Sequence, residues 1–192
     1  MMLATIVLLC VLVSAFAEVE YSHRVFLDIF VNGQDFGRVL IGLYSHVPLA
    51  KDNFRALCTG ENGIGHFGEK LSYTGSSIFY VNYDGIGGGD IVTQTGAGSD
   101  SIYSEPQFSP DPLSFSIPHN APYQLSLIGN DDGTLGSRFF ISFGETRPES
   151  DGIDPVIGDV IQGQDILKIV REFFVGDTES VLTFGASGEI TE

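Results

Sequence analysis

Asn53-Phe54-Arg55-Ala56-Leu57-Cys58-Thr59-Gly60-Glu61 is the stretch on which the fold of this chain turns. Val47-Pro48 opens the helix that contains it, because proline is tolerated in a first turn, where its missing N–H would have no partner anyway. Leu49, Phe54, Leu57 and Cys58 then share one helical face, and Gly60 supplies a residue free to leave the helix. A polar, glycine-rich loop follows as far as Gly68. Upstream, Val25 to Val31 alternates apolar and polar residues, Asn32-Gly33 is a strong hairpin signal, and Gly37 to Tyr44 makes the return strand. Downstream, Tyr73 to Phe143 is cut into short apolar runs by Gly, Pro, Asn and Asp, which leaves no room for a helix and suits a closed or nearly closed β structure. Asp165 to Val175 reads as a second helix, with Ile166, Ile169, Val170 and Phe173 on one face and Gly176 as its stop. Val181 to Phe184 makes a last strand.

The chain has 192 residues, enough for one sizeable core. Its first 17 residues carry no charged side chain, run apolar from Leu3 to Val13, and end in Ala15-Phe16-Ala17, the small-residue pattern of a signal-peptidase site. Residues 1–17 are therefore expected to be a signal peptide and residues 18–192 a single domain. An uncleaved anchor is the alternative, but the apolar run falls short of the roughly 20 residues that span a bilayer. With 25 acidic against 9 basic residues, the net charge of −16 excludes nucleic acid and anionic membranes as partners and favours basic ones, or simply a solvated acidic surface. Cys10 leaves with the leader, so Cys58 is alone, no internal disulfide forms, and the thiol reads as a buried space-filler. No Asn-x-Ser/Thr site and no retention signal occur, so secretion to the outside is expected.

Cofactor and metal signals fail on inspection. Gly85 to Gly89 lacks the spacing and the lysine of a phosphate-binding loop. Asn130-Asp131-Asp132-Gly133 lacks the distal glutamate of a calcium loop and is explained by turn chemistry. His23, His46, His66 and His119 show no metal-ligand spacing. No cofactor and no metal are expected.

Several landmarks stand in a fixed order: the opening hairpin, the Asn53 to Glu61 string, Tyr73-Thr74-Gly75-Ser76-Ser77, Gly88-Gly89-Asp90, Gly96-Ala97-Gly98, Ser101-Ile102-Tyr103 and Gly136-Ser137-Arg138-Phe139-Phe140-Ile141. Together, over about Val25 to Ile190, they resemble a cyclophilin, the cyclosporin-binding class of peptidyl-prolyl cis-trans isomerase. The resemblance implies a mainly β fold: an eight-stranded antiparallel closed barrel capped by two α-helices, and a monomer. It also implies a site. A peptide bond resists rotation by about 18–20 kcal/mol because the nitrogen lone pair is delocalised. A donor aimed at the prolyl nitrogen therefore favours the twisted amide selectively. In such proteins an arginine donates, a glutamine assists, two phenylalanines, a methionine and a leucine cup the ring, and a tryptophan and a histidine line the rim.

Matched residue by residue, most of that machinery is absent here. Tyr80 in Ile78-Phe79-Tyr80-Val81 takes the arginine position. Asp84-Gly85-Ile86-Gly87 replaces the stretch with two apolar walls and the glutamine, which falls on Gly87. The residue pair that grips peptide backbone becomes Ile128-Gly129, the tryptophan–leucine region becomes Arg147-Pro148-Glu149-Ser150, and the rim histidine becomes Asp154. Only Phe140 survives. Losing one preorganised donor alone costs about 10²–10³ in rate. The expectation is a secreted, non-catalytic binder of peptide or protein, proline-containing or basic, with cyclosporin binding weak for want of the rim tryptophan. Its groove would be formed by Tyr80, Ile128, Gly129, Arg138, Phe140 and Glu149, with Asp84 and Asp154 near the edge. Arg138, two residues before Phe140, would share its strand face and could anchor a bound backbone, unless it pairs with Asp131, Asp132 or Asp154. A weak isomerase of the secretory pathway is the alternative, and an inert barrel with an acidic interaction surface is a second.

Overall fold

The computed structural model describes residues 20–144 and 146–191; the leader expected at 1–17 lies outside them. The opening hairpin is β1 (Tyr21–Val31) and β2 (Gln34–Tyr44), joined at Asn32 and Gly33, both of positive φ (51° and 79°). That backbone turn matches the strands' right-handed twist, and Asn-Gly adopts it at little cost. Helix α1 (Pro48–Thr59) follows, then β3 (Ile78–Val81), β4 (Gly85–Gly88), β5 (Gln124–Leu127), β6 (Phe139–Ser142), β7 (Val156–Gln162), α2 (Gln164–Phe174) and β8 (Leu182–Glu189). The strands pair antiparallel in the order β3-β4-β6-β5-β7-β2-β1-β8. A bridge between Ser77 and Thr183, with the Phe184 N–H donating to the Ser76 carbonyl (2.8 Å), draws the two end strands together into a nearly closed barrel. The fold expected from the resemblance is the fold observed.

Helix α1 packs against β8 and β1, and α2 against β2 and β3. Beneath α1, Phe54, Tyr73, Phe139 and Phe184 form an aromatic cluster with neighbouring ring centroids 5.0–5.3 Å apart. Asn53 is buried but satisfied, donating to the Gly136 carbonyl (3.0 Å) and accepting from the Ile102 N–H (3.0 Å), so it clips the helix to two loops. Gly60 ends α1 in the left-handed conformation, its N–H donating to the Ala56 carbonyl.

Three sequence expectations are corrected. Leu49 is exposed, because the buried stripe of α1 runs through Ala50, Asn53, Phe54, Leu57 and Cys58. In α2 the buried residues are Leu167 and Val170, with Ile166 and Phe174 packed at the margin, while Ile169 and Phe173 face solvent. The stripe is rotated because Ile166 seats itself over Gly37, where a Cβ would stand 2.6 Å from its Cδ1. Strand β8 runs on to Glu189 rather than ending at Phe184. Gly185 and Gly188 have poor strand propensity, yet their bare faces are covered by the rings of Phe30 and Phe26 across the β1 ladder.

Candidate functional site

The outer face of β4 is made of hydrogen atoms. Ile86 points into the core and is fully buried, so its neighbours Gly85 and Gly87 look outward. A Cβ on Gly85 would lie 2.5 Å from Phe140 Cζ, and one on Gly87 would collide with the Tyr80 ring. In the ladder, Tyr80 of β3, Gly87 of β4 and Phe140 of β6 are direct cross-strand partners. Tyr80 therefore leans across the bare glycine, and its ring stacks beside Phe140 with centroids 6.0 Å apart and planes 27° apart. The absent wall and glutamine side chains leave no hole; two aromatic rings lie down over their positions.

Above Phe140 sits a guanidinium. It belongs to Arg147, whose Cζ is 3.9 Å from the ring centroid. The backbone holds it there: the Arg147 N–H donates to the His119 carbonyl (2.9 Å), and Pro148–Ser150 turns immediately into a short 3₁₀ helix. Asp151 Oδ1 accepts from the His119 backbone N–H (2.8 Å) and pairs with its ring Nδ1 (2.9 Å), fastening the loop to the segment before β5. Arg147 Nε reaches Glu149 Oε1 only at 3.6 Å, and Nη1 is buried with no hydrogen-bond partner among the described residues.

Electrostatically the Tyr80 hydroxyl stays protonated. Burial pushes its pKa above the ordinary phenol value, Arg147 pulls it down, and Asp154 and Asp84 push it up again. Tyr80 thus offers a neutral hydroxyl where a guanidinium would be needed to polarise a prolyl nitrogen.

The remaining sequence-predicted residues divide. Glu149 stands at the rim, its side chain 69% exposed. Ile128 and Gly129 line the neighbouring strand end, but their N–H groups are already used: Ile128 donates to the Arg138 carbonyl (2.9 Å) and Gly129 to Asp154 Oδ1 (2.9 Å). Asp154 thereby caps the N–H of Gly129, one of the two residues expected from the resemblance to grip a peptide backbone. Arg138 is anchored by the loops beside it. It is held by neutral acceptors, the Gly96 carbonyl (2.9 Å) and Asn130 Oδ1 (2.6 Å), rather than by Asp131, Asp132 or Asp154. Strand alternation put it on the Phe140 face, but β6 begins only at Phe139 and the adjacent loops capture the side chain.

Sequence reasoning missed Arg147 on Phe140. The signal was the alternation Gly85-x-Gly87 beside aromatic strands, which announces side chains laid flat over glycine. Among the described residues no group of three or more His, Cys, Asp or Glu is arranged to hold a metal. Cys58 is fully buried and burial drives its thiol pKa well up, so it is no nucleophile.

The barrel, the α1 string and the Phe140 position meet in one comparison. The sequence pattern described as cyclophilin type peptidyl-prolyl cis-trans isomerase/CLD matches residues 26–183, from β1 to β8. With most of the chain matched and the eight-stranded barrel in place, this protein belongs to the cyclophilin-type peptidyl-prolyl cis-trans isomerase family.

Proposed function

We propose that this is a secreted, non-catalytic member of the family that acts by binding peptide or protein segments at the Tyr80–Phe140–Arg147 groove. The carrying observation is the guanidinium 3.9 Å over Phe140. A prolyl ring needs that apolar face, and here the seat is taken. The donor position beside it offers only the neutral phenol of Tyr80. Secretion rests on the uncharged apolar leader ending at Ala17. The bias towards basic partners rests on the net charge of −16 and on Asp84, Glu149 and Asp154 around the groove.

The test is exchange spectroscopy on an X-Pro peptide with the purified protein. No acceleration is expected even at stoichiometric protein, and cyclosporin is expected to bind poorly. Measurable acceleration would remove the non-catalytic reading. A weak isomerase is the second reading, and the same side chain favours it: Arg147, lifted off Phe140, would bring a cationic donor to the cup from a loop rather than from β3.

A further inference from the structure

The groove already holds a ligand-like group. The Arg147 guanidinium stands over the Phe140 ring with Cζ 3.9 Å from its centroid, the Tyr80 ring stacks alongside, and Glu149 Oε1 approaches the cation's Nε at 3.6 Å. The charges of Asp84 and Asp154 also act on the Tyr80 hydroxyl, while the Asp154 carboxylate accepts from the Gly129 N–H (2.9 Å). A guanidinium over an aromatic face with a carboxylate at its margin is an arrangement by which arginine is recognised between molecules. The resident cation fills this seat imperfectly. Its Nη1 is buried without a partner among the described residues, and its one carboxylate contact is long and turned to solvent.

We propose that the groove is a receptor for an arginine side chain of a basic peptide or protein, and that Arg147 is the resident competitor which the incoming guanidinium displaces. The proposal rests on reading the groove as a binding site rather than a catalytic one. Arginine is selected over other occupants by the groups on the page. A prolyl ring would cover Phe140 but leave the Glu149 carboxylate at the rim facing nothing. Lysine brings a compact charge without a plane to stack. An anion would meet Asp84, Glu149, Asp154 and a chain of net charge −16. That same charge steers basic partners towards the protein. Once displaced, Arg147 can reach water and Glu149, so its buried Nη1 regains hydrogen bonds that the resting pose denies it.

A tethered competitor raises the concentration needed for binding, so vacating the seat should tighten it. The experiment titrates isotope-labelled protein with N-acetyl-Gly-Arg-Gly-amide, its Lys counterpart and an Ala-Pro counterpart, following amide resonances. Arg147→Ala should bind the arginine peptide about fivefold more tightly than the unaltered protein, within the range of one cation–π contact. The lysine peptide should gain less and the proline peptide nothing. Adding Phe140→Leu to Arg147→Ala keeps an apolar floor, removes the π face, and should cancel the gain. In the unaltered protein, millimolar ethylguanidinium should shift the same resonances around Tyr80 and Phe140, a readout that needs no variant. The proposal is overturned if ethylguanidinium moves nothing there, if the variant gains no arginine affinity, if proline gains equally, or if the gain survives Phe140→Leu. Accelerated prolyl exchange would instead sink the non-catalytic reading and leave these outcomes as they stand.

Discussion

Asp90→Asn should be among the most damaging single-atom changes available in this chain, because one carboxylate organises the whole turn behind Tyr80. Asp90 is fully buried directly after β4. Its Oδ1 accepts from the N–H groups of Val92 (3.0 Å) and Thr93 (2.7 Å). Its Oδ2 accepts from the Thr93 hydroxyl (2.5 Å) and from the N–H groups of Thr95 (3.0 Å), Gly96 (2.8 Å) and Gly98 (3.0 Å). An amide must set its NH₂ against one of these groups of donors. It will choose the Oδ1 side, where two backbone N–H groups are then opposed rather than three and a hydroxyl. Leaving these two part-buried donors unpaired costs at most about 1–3 kcal/mol each, so the loss is at most about 2–6 kcal/mol. Urea unfolding followed by tyrosine fluorescence, in a chain with 7 Tyr and no Trp, reads it directly. At about 2 kcal/mol per molar urea the midpoint should fall by at most about 1–3 M. Acid adds a second check. Burial alone would raise the Asp90 carboxyl, but the hydrogen bonds from Thr93, Gly98 and Thr95 outweigh it and hold the pKa well below the ordinary value. The stabilisation is therefore complete above the unfolded-state value of about 3.9 and is lost as pH falls towards the depressed folded value. The gap between Asp90→Asn and the unaltered protein should narrow as the medium is acidified from about pH 5. A midpoint lowered by less than about 0.5 M, or a gap that widens in acid, would refute this reasoning.

Other outcomes follow from particular contacts. Arg147→Ala should change stability by no more than about 1 kcal/mol, since a cation–π contact of about 0.5–2 kcal/mol is offset by releasing a buried, unpaired N–H; Phe140→Ala, emptying a nearly fully buried site, should cost about 3–5 kcal/mol in the same urea titration. His66 Nδ1 meets the buried Asp100 carboxylate at 2.6 Å, and that hydrogen bond raises the imidazole pKa. Its stabilisation is thus full below the unfolded value of about 6.5 and is lost as pH rises through the folded value, so the difference in urea midpoint between the protein and His66→Asn should be larger at pH 5.5 than at pH 8.5. The Cys58 thiol should not react with an aromatic disulfide reagent in native buffer and should react fully in denaturant; native labelling on mixing would contradict its burial. Tyr80→Arg alone should not accelerate prolyl exchange in magnetisation-transfer experiments, because Arg147 would still occupy the Phe140 face.

The barrel was legible because its decisive signals are local. Asn32-Gly33 dictates a turn through its own backbone freedom, and the Asn53 to Glu61 string carries a helix, its stop and a buried polar clip within nine positions. What escaped the sequence was set by neighbours distant along the chain. Gly37 decides which face of α2 is buried, and Phe26 and Phe30 make a strand of glycine-rich residues near the end of the chain. The site divides in the same way. Tyr80, Gly87, Phe140, Asp154 and Glu149 were identified as positions, and the structure brings Tyr80, Gly87 and Phe140 into one cross-strand row. Where Arg138 and Arg147 would reach was not legible, because the destination of a long cationic side chain depends on which loop presents acceptors first. Gly96 and Asn130 claim Arg138, whereas Arg147 leaves its backbone at a point fixed by His119 and Asp151, with an aromatic face in front of it.

The departures from the family's usual site therefore form one rearrangement. A side chain at Gly87 would push Tyr80 off the ledge, and one at Gly85 would strike the Phe140 ring. A cation at position 80 would face a second guanidinium on Phe140, so the neutral phenol is the residue compatible with Arg147 where it stands. Asp154 completes the set by holding the Gly129 N–H. Around Phe140, the Arg147 guanidinium and the Gly129 N–H are both turned towards other groups of the same chain. If the site is non-catalytic, as proposed, these internal contacts are what would leave a twisted amide without a donor. The proposed arginine receptor rests on what remains, an aromatic floor with Glu149 at its margin, which would discriminate by charge and planarity rather than by the shape of a proline ring.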